Sequence, residues 1–291
     1  MRIIFSCLRR CVLPSLLLLA GRVFITPVPV AQDPAVESSE AAPPSDPDDA
    51  RELLERLETA HAVITAFNSP LTYRKEYALE GDFETRIGEV ALRGHGADRE
   101  IVLVFDRVVD AGGHGTDDLR YHLYKDGWWT EINPGQRRIV SRQMQAPGSP
   151  RDPFELGEGP LPLPLGQKAD DVETRFEVSI GEQPDDPVLR GVKNAHVLHL
   201  VPRLGTPAAE DIESIDLLYD RASLLPVGIL VIDQTGDRTT AWLRKPESSL
   251  EKSSFDGRAG EAGTLIKKAA SDPAWTVDRK PLPASRSGEN P

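Results

Sequence analysis

The sequence predicts a mainly β protein: an antiparallel meander of about eleven short strands that curls into a barrel or half-barrel. Three observations predict it. From Leu71 onward the chain consists of short runs rich in Val, Ile, Tyr and Thr, separated by Gly, Asp, Asn and Pro. Hairpin turns are written out between the runs, at Asp126-Gly127, Asn133-Pro134-Gly135 and Thr235-Gly236-Asp237. No long helix-period segments alternate with the runs, which disfavours parallel βαβ architecture. The 25 prolines and 23 glycines also argue against a helical bundle.

The elements follow in order. Residues 1–31 read as a signal peptide, with Arg9 and Arg10 ahead of a short apolar run centred on Leu16–Leu19, too short to span a bilayer. An uncleaved N-terminal anchor is the alternative. Residues 32–48 are acidic, Pro-rich and poor in large apolar residues, so they are expected to be a disordered linker. The folded domain is expected over 49–280. It starts with a helix capped by Asp48 or Asp49 and carried by Leu53, Leu54, Leu57, Ala60, Val63, Ile64 and Phe67 at i, i+3, i+4 spacing, and Asn68-Ser69-Pro70 stops it. Strands are expected near 71–79, 85–94, 100–107, 119–125, 128–133, 137–143, 172–180, 194–201, 212–219, 225–233 and 237–244. Residues 145–171 are too Pro-rich for a central strand and read as a long crossing loop. Residues 247–272 are polar, with a weak helical signal around Leu265–Ala270. Trp275-Thr276-Val277 could add a last short strand, and 281–291 a disordered tail.

Charge and composition exclude several functions. With 34 Lys and Arg against 46 Asp and Glu the chain carries a net charge of −12, so it repels nucleic-acid phosphates and anionic headgroups. Both cysteines, Cys7 and Cys11, lie in the expected signal peptide, leaving the mature chain without a disulfide-linked partner, a thiolate nucleophile or a Cys-held zinc. His196 and His199 are three apart on an expected strand and point to opposite faces, so no metal site is read there. The glycine clusters Gly94-His95-Gly96 and Gly112-Gly113-His114-Gly115 match no nucleotide-binding pattern. No nucleophile elbow is present. The sequence thus implies no cofactor and no catalytic residue.

What remains is apolar surface. Leu119, Tyr121 and Leu123 alternate with Arg120 and His122, and Trp128, Thr130 and Ile132 alternate with Trp129, Glu131 and Asn133. Alternation therefore reads as an apolar inner surface and a polar outer one. A curved sheet of this size encloses more space than its own side chains fill. The Leu53–Phe67 stripe is the natural cover, either over a hollow or as part of a closed core.

In order, these features resemble the outer-membrane lipoprotein carrier (LolA-like) family over residues 50–280. The segments that carry the resemblance are Gly88-Glu89-Val90-Ala91-Leu92-Arg93, the hairpin Lys125-Asp126-Gly127-Trp128-Trp129-Thr130-Glu131-Ile132-Asn133-Pro134 with Gln136, the later hairpin from Ile212–Tyr219 through Asp233-Gln234-Thr235-Gly236-Asp237-Arg238-Thr239-Thr240, and Phe255 with Trp275-Thr276-Val277. The resemblance implies a single curved antiparallel sheet forming an incomplete barrel of about eleven strands with a helical lid, and a periplasmic, non-catalytic carrier of lipoprotein acyl chains or another lipid, with an inner-membrane transporter and an outer-membrane acceptor as partners. The alternative is a periplasmic sensor or regulator of the same fold that binds a membrane-protein partner. It also implies a cavity lined by Leu92, Val102, Val104, Tyr121, Leu123, Trp128 and Ile132, with Leu57, Val63 and Phe67 on the lid. The family's Arg-Pro step after the second strand corresponds here to Asp98-Arg99-Glu100, which makes Arg99 the gating candidate without the proline.

Overall fold

The structure is a computed structural model describing residues 49–146, 154, 156, 164–249 and 254–282. The signal peptide expected over 1–31, the linker over 32–48 and all of the expected tail after Leu282 lie outside the described residues. Four helices are described, α1 (Ala50–His61), α2 (Ala169–Arg175), α3 (Ala208–Asp211) and α4 (Phe255–Ser271). Twelve strands follow the chain: β1 (Ala66–Tyr77), β2 (Asp82–Arg93), β3 (Glu100–Val109), β4 (Gly115–Lys125), β5 (Trp128–Asn133), β6 (Arg138–Gln143), β7 (Phe176–Ile180), β8 (Ala195–Pro202), β9 (Ile212–Asp220), β10 (Pro226–Asp233), β11 (Arg238–Leu243) and β12 (Thr276–Lys280).

All twelve form one curved, unclosed sheet in the order β12-β6-β5-β4-β3-β2-β1-β11-β10-β9-β8-β7. Two antiparallel meanders, β1–β6 and β7–β11, are joined at the centre by the antiparallel β1–β11 pair. The turns do what their residues dictate. Asp126 and Gly127 have φ of 51° and 77°, the left-handed pair that a two-residue hairpin requires. Gly88 sits at a register shift between β2 and β3, where a Cβ would come within 1.8 Å of the Val104 carbonyl oxygen. Only glycine allows so close an approach.

Three expectations are corrected. The first helix ends at His61, not Phe67. Asp49 caps it, its Oδ1 accepting from the Glu52 N–H at 2.7 Å, but the run Val63-Ile64-Thr65 is β-branched and leaves the helix. Ala66 to Pro70 instead open β1, where Phe67 pairs with Leu92. Residues 172–175 belong to α2, so the seventh strand starts only at Phe176. The weak signal at 265–270 is the end of a seventeen-residue helix, and the strand after it pairs parallel to β6 rather than antiparallel. These last two facts are one: a parallel neighbour needs a crossover, and α4 is that crossover. Seventeen residues span about 25 Å, enough to pass the strand spacings from β2 to β6 at about 4.8 Å each.

The core divides by face. The largest cluster takes side chains from β1–β5 and β7–β11 together with α1, α2 and three described residues between β6 and α2 (Phe154, Leu156, Leu165), so it lies inside the curve. A second cluster joins α4 (Phe255, Ala262, Ala269) to Ala91, Val102, Val104, Tyr121, Ile132 and Ile139 on the outer face. A third, smaller one covers the outer face of the other meander around Leu189, Leu218 and Leu230.

Candidate functional site

The inside of the curve has two parts. At the end nearest α1 it is filled. Leu53, Leu54 and Leu57 of α1 meet Phe67, Leu92, Leu198, Leu217, Phe154 and Leu165, all buried. The space under the helix is therefore a closed core in this state and not a hollow. Polar contacts fasten the edges of this plug. Glu58 accepts the Ala169 N–H at 3.0 Å, capping α2, and Arg51 pairs with Glu55, Asp170 and Glu173. His61, the last residue of α1, places Nε2 2.8 Å from the Leu224 carbonyl oxygen and Nδ1 3.5 Å from the Gly166 N–H, which fits a neutral ring donating through Nε2. Burial lowers the His61 pKa, and the charge of Arg99 adds to that. Beside it Tyr219 donates to the Pro164 carbonyl at 3.2 Å, its pKa raised by complete burial.

The far end of the inner face is open and differently made. Tyr73, Arg86, Leu103, Phe105, Arg120, His122, Trp129 and Glu131 line a pocket of about 200 Å³. The rings form a continuous row: Tyr73 to Phe105 at 5.7 Å, Phe105 edge-on to His122 at 5.8 Å, His122 to Trp129 at 5.6 Å. Asp118 holds Arg86 and Arg120, each at 2.9 Å, and Glu84 holds Arg86 at 2.6 Å. Burial opposes the charge on Arg86, but the two carboxylates outweigh it and raise its pKa. Burial pushes His122 down to about 4, Glu131 opposing and Arg86 and Arg120 reinforcing the shift, so the ring is neutral. Its Nδ1 is buried without a hydrogen-bond partner.

The positions implied by the resemblance fall into separate places. Leu57, Phe67 and Leu92 come together inside the curve, Phe67 from β1 rather than from the helix. Val63 is in the turn after α1, 80% exposed, and takes no part in a lid. Val102, Val104, Tyr121, Leu123 and Ile132 face α4 on the outer side, and Trp128 lies on that side as well. The inner and outer assignments at β4 and β5 are thus reversed. Arg120, His122, Trp129 and Glu131 point inward, and the apolar set is what α4 covers. Tyr121 also donates to Glu261 of α4 at 2.9 Å, and burial and that carboxylate push its pKa up to about 12. Arg99 is buried at the plug, its Nη2 donating to the Leu165 carbonyl at 3.2 Å and its charge acting on His61. Sequence reasoning missed His61, Tyr219 and the aromatic row. The buried rings on the Arg-His side of β4 were legible only as a polar alternation.

Among the described residues no group of three or more His, Cys, Asp or Glu side chains is placed to hold a metal ion, and no helix is long and apolar enough to cross a membrane. No family model and no curated protein matches the chain. Solved structures do. An uncharacterized conserved protein from Thermus thermophilus is 11% identical, covering 79% of this chain and 99% of that one, with a TM-score of 0.41. The MucA/MucB complex structure of Pseudomonas aeruginosa contains a chain 16% identical, covering 68% of this chain and 56% of that one, at 0.36. A LolA superfamily protein from Nitrosomonas europaea is 10% identical, covering 69% and 93%, at 0.28.

Proposed function

We propose that this chain is a non-catalytic periplasmic binding protein that shelters the long acyl chain of a lipoprotein, or of another lipid, inside the curve of its sheet on the way to the outer membrane. The observation that carries this reading is the nature of the closure. The interior is sealed by the short helices α1 and α2 with Phe154, Leu156 and Leu165, not by a second sheet, so the apolar surface beneath can be uncovered without breaking a strand pair. Displacing α1 exposes three buried leucines, at about 1.5–3 kcal/mol each. An acyl chain recovers about 0.8 kcal/mol per buried CH₂, so roughly six to eleven methylenes offset the loss. A ~C16 chain exceeds that threshold, and a chain of about six carbons does not. The latch of Arg99 on the Leu165 carbonyl, His61 on the Leu224 carbonyl and Tyr219 on the Pro164 carbonyl is what has to open.

The test is a binding series of fluorescent fatty acids of increasing length against the chain and its Leu53→Ala variant. The reading expects affinity to rise with chain length beyond about eleven carbons and to rise further when Leu53 is shortened, because the plug then competes less well. Length-independent binding, or none to either protein, overturns it. A membrane-protein partner retained while no acyl chain binds would point to the regulatory alternative.

A further inference from the structure

The cleft between the end of α4 and the outer face of β5, β6 and β12 is independent of the plugged interior. Its volume is about 290 Å³, and it is lined by Trp128, Thr130, Ile139, Ser141, Ile266, Ala270, Val277 and Arg279. The lining follows from the sheet register. Thr130 pairs with Ser141, Ile139 with Val277 and Ser141 with Arg279, so all of these side chains rise on the side that α4 covers. The floor's two hydroxyls, Thr130 and Ser141, bond each other at 3.0 Å, which leaves one O–H between them. Everything else inside is hydrocarbon or indole, and a single charge stands at the rim.

That charge is Arg279. Its guanidinium carbon lies 3.9 Å from the centre of the Trp128 ring, and among the described residues no carboxylate pairs with it. Stacking uses the flat face of the guanidinium and leaves its N–H edges outward, the geometry that grips a carboxylate with two parallel hydrogen bonds. We propose that this cleft binds one medium-length fatty-acid anion, tail against Trp128, Ile139, Ile266 and Val277, carboxylate on Arg279. The volume is at the small end of ligand sites, which limits the occupant to a single chain.

The probe is sodium decanoate, titrated by calorimetry and by tryptophan fluorescence, with acetate and decanol as controls. Decanoate should bind and change an emission that Trp128→Phe removes. Arg279→Gln should weaken decanoate by about tenfold, the size of one charge-assisted pair, and leave decanol unchanged. Ala270→Phe, at an exposed helix position, should block both. Ala270→Phe leaves the inner plug untouched, so decanoate binding that it abolishes belongs to this cleft and not to the acyl-carrier site. Decanoate binding that survives Ala270→Phe, or acetate binding as tightly as decanoate, overturns the proposal.

Discussion

The same sheet is closed on its two faces by different chemistry. Under α1 the contacts are large side chains, Leu53, Leu54 and Leu57 against Phe67, Leu92 and Phe154, and the helix edges are fastened by ion pairs and the His61 latch. Under α4 the helix contributes Ala259, Ala262 and Ala269, with Phe255, Leu265 and Ile266, and lies along β2–β6 as a tie. Charged contacts hold its first turns: Arg93 to Asp256 at 2.6 Å, and Arg258 to Glu89 and Glu261. Three leucines at one point make a compact plug, whereas three alanines interspersed with three large side chains along α4 leave room at its end, and the Trp128–Arg279 cleft is that room.

Four substitutions or conditions would break or sharpen this contrast. The largest effect is expected inside the plug. Leu53→Ala removes a fully buried side chain and should lower the unfolding free energy by about 2–5 kcal/mol in urea. A loss under 1 kcal/mol would mean that α1 hardly contributes to the closed state.

The next expected effect is that of acid. His122 has a folded pKa of about 4 against 6.5 for the free ring, so the unfolded chain takes up the proton first. Its contribution is intact above pH 6.5 and is lost as the pH falls from there toward 4, about 2 kcal/mol between pH 7.5 and 5. His61, also lowered, adds to the same slope. His122→Phe, which keeps a ring between Phe105 and Trp129, should flatten the profile, and an unchanged slope would place the acid sensitivity elsewhere.

Two glycine substitutions of the same kind should differ in sign. Gly88→Ala forces a Cβ onto the Val104 carbonyl and should destabilise by roughly 1–3 kcal/mol. Gly257→Ala meets nothing within 4 Å on the free side of α4 and should stabilise by about 0.5–1 kcal/mol. Thermal melts of the two variants would test this, and equal shifts would contradict the placement of α4.

How far the sequence reached can be followed in particular residues. The meander was legible because hairpins are local: Asp126-Gly127 sets its own turn, and β5 and β6 observed at 128–133 and 138–143 nearly coincide with the expected runs. Helix α4 was not. Gly257, Gly260 and Gly263 each cost its helix about 1 kcal/mol relative to alanine, and what holds it is the apolar outer face of five other segments. Phe67 misled for a related reason, since its position suits a helical stripe as well as a strand face, and the β-branched residues before it settle the matter only once β2 is there to pair.

By itself, then, the sequence determined the strands, their turns and which side chains share a face, because those depend on neighbours along the chain. Alternation has no sign, however. It separates Tyr121 from His122 without saying which of them looks inward. That was decided by the tertiary structure, when α4 crossed the outer face, took Tyr121, Val102 and Ile132 beneath it, and left His122, Arg120 and Trp129 to the inside.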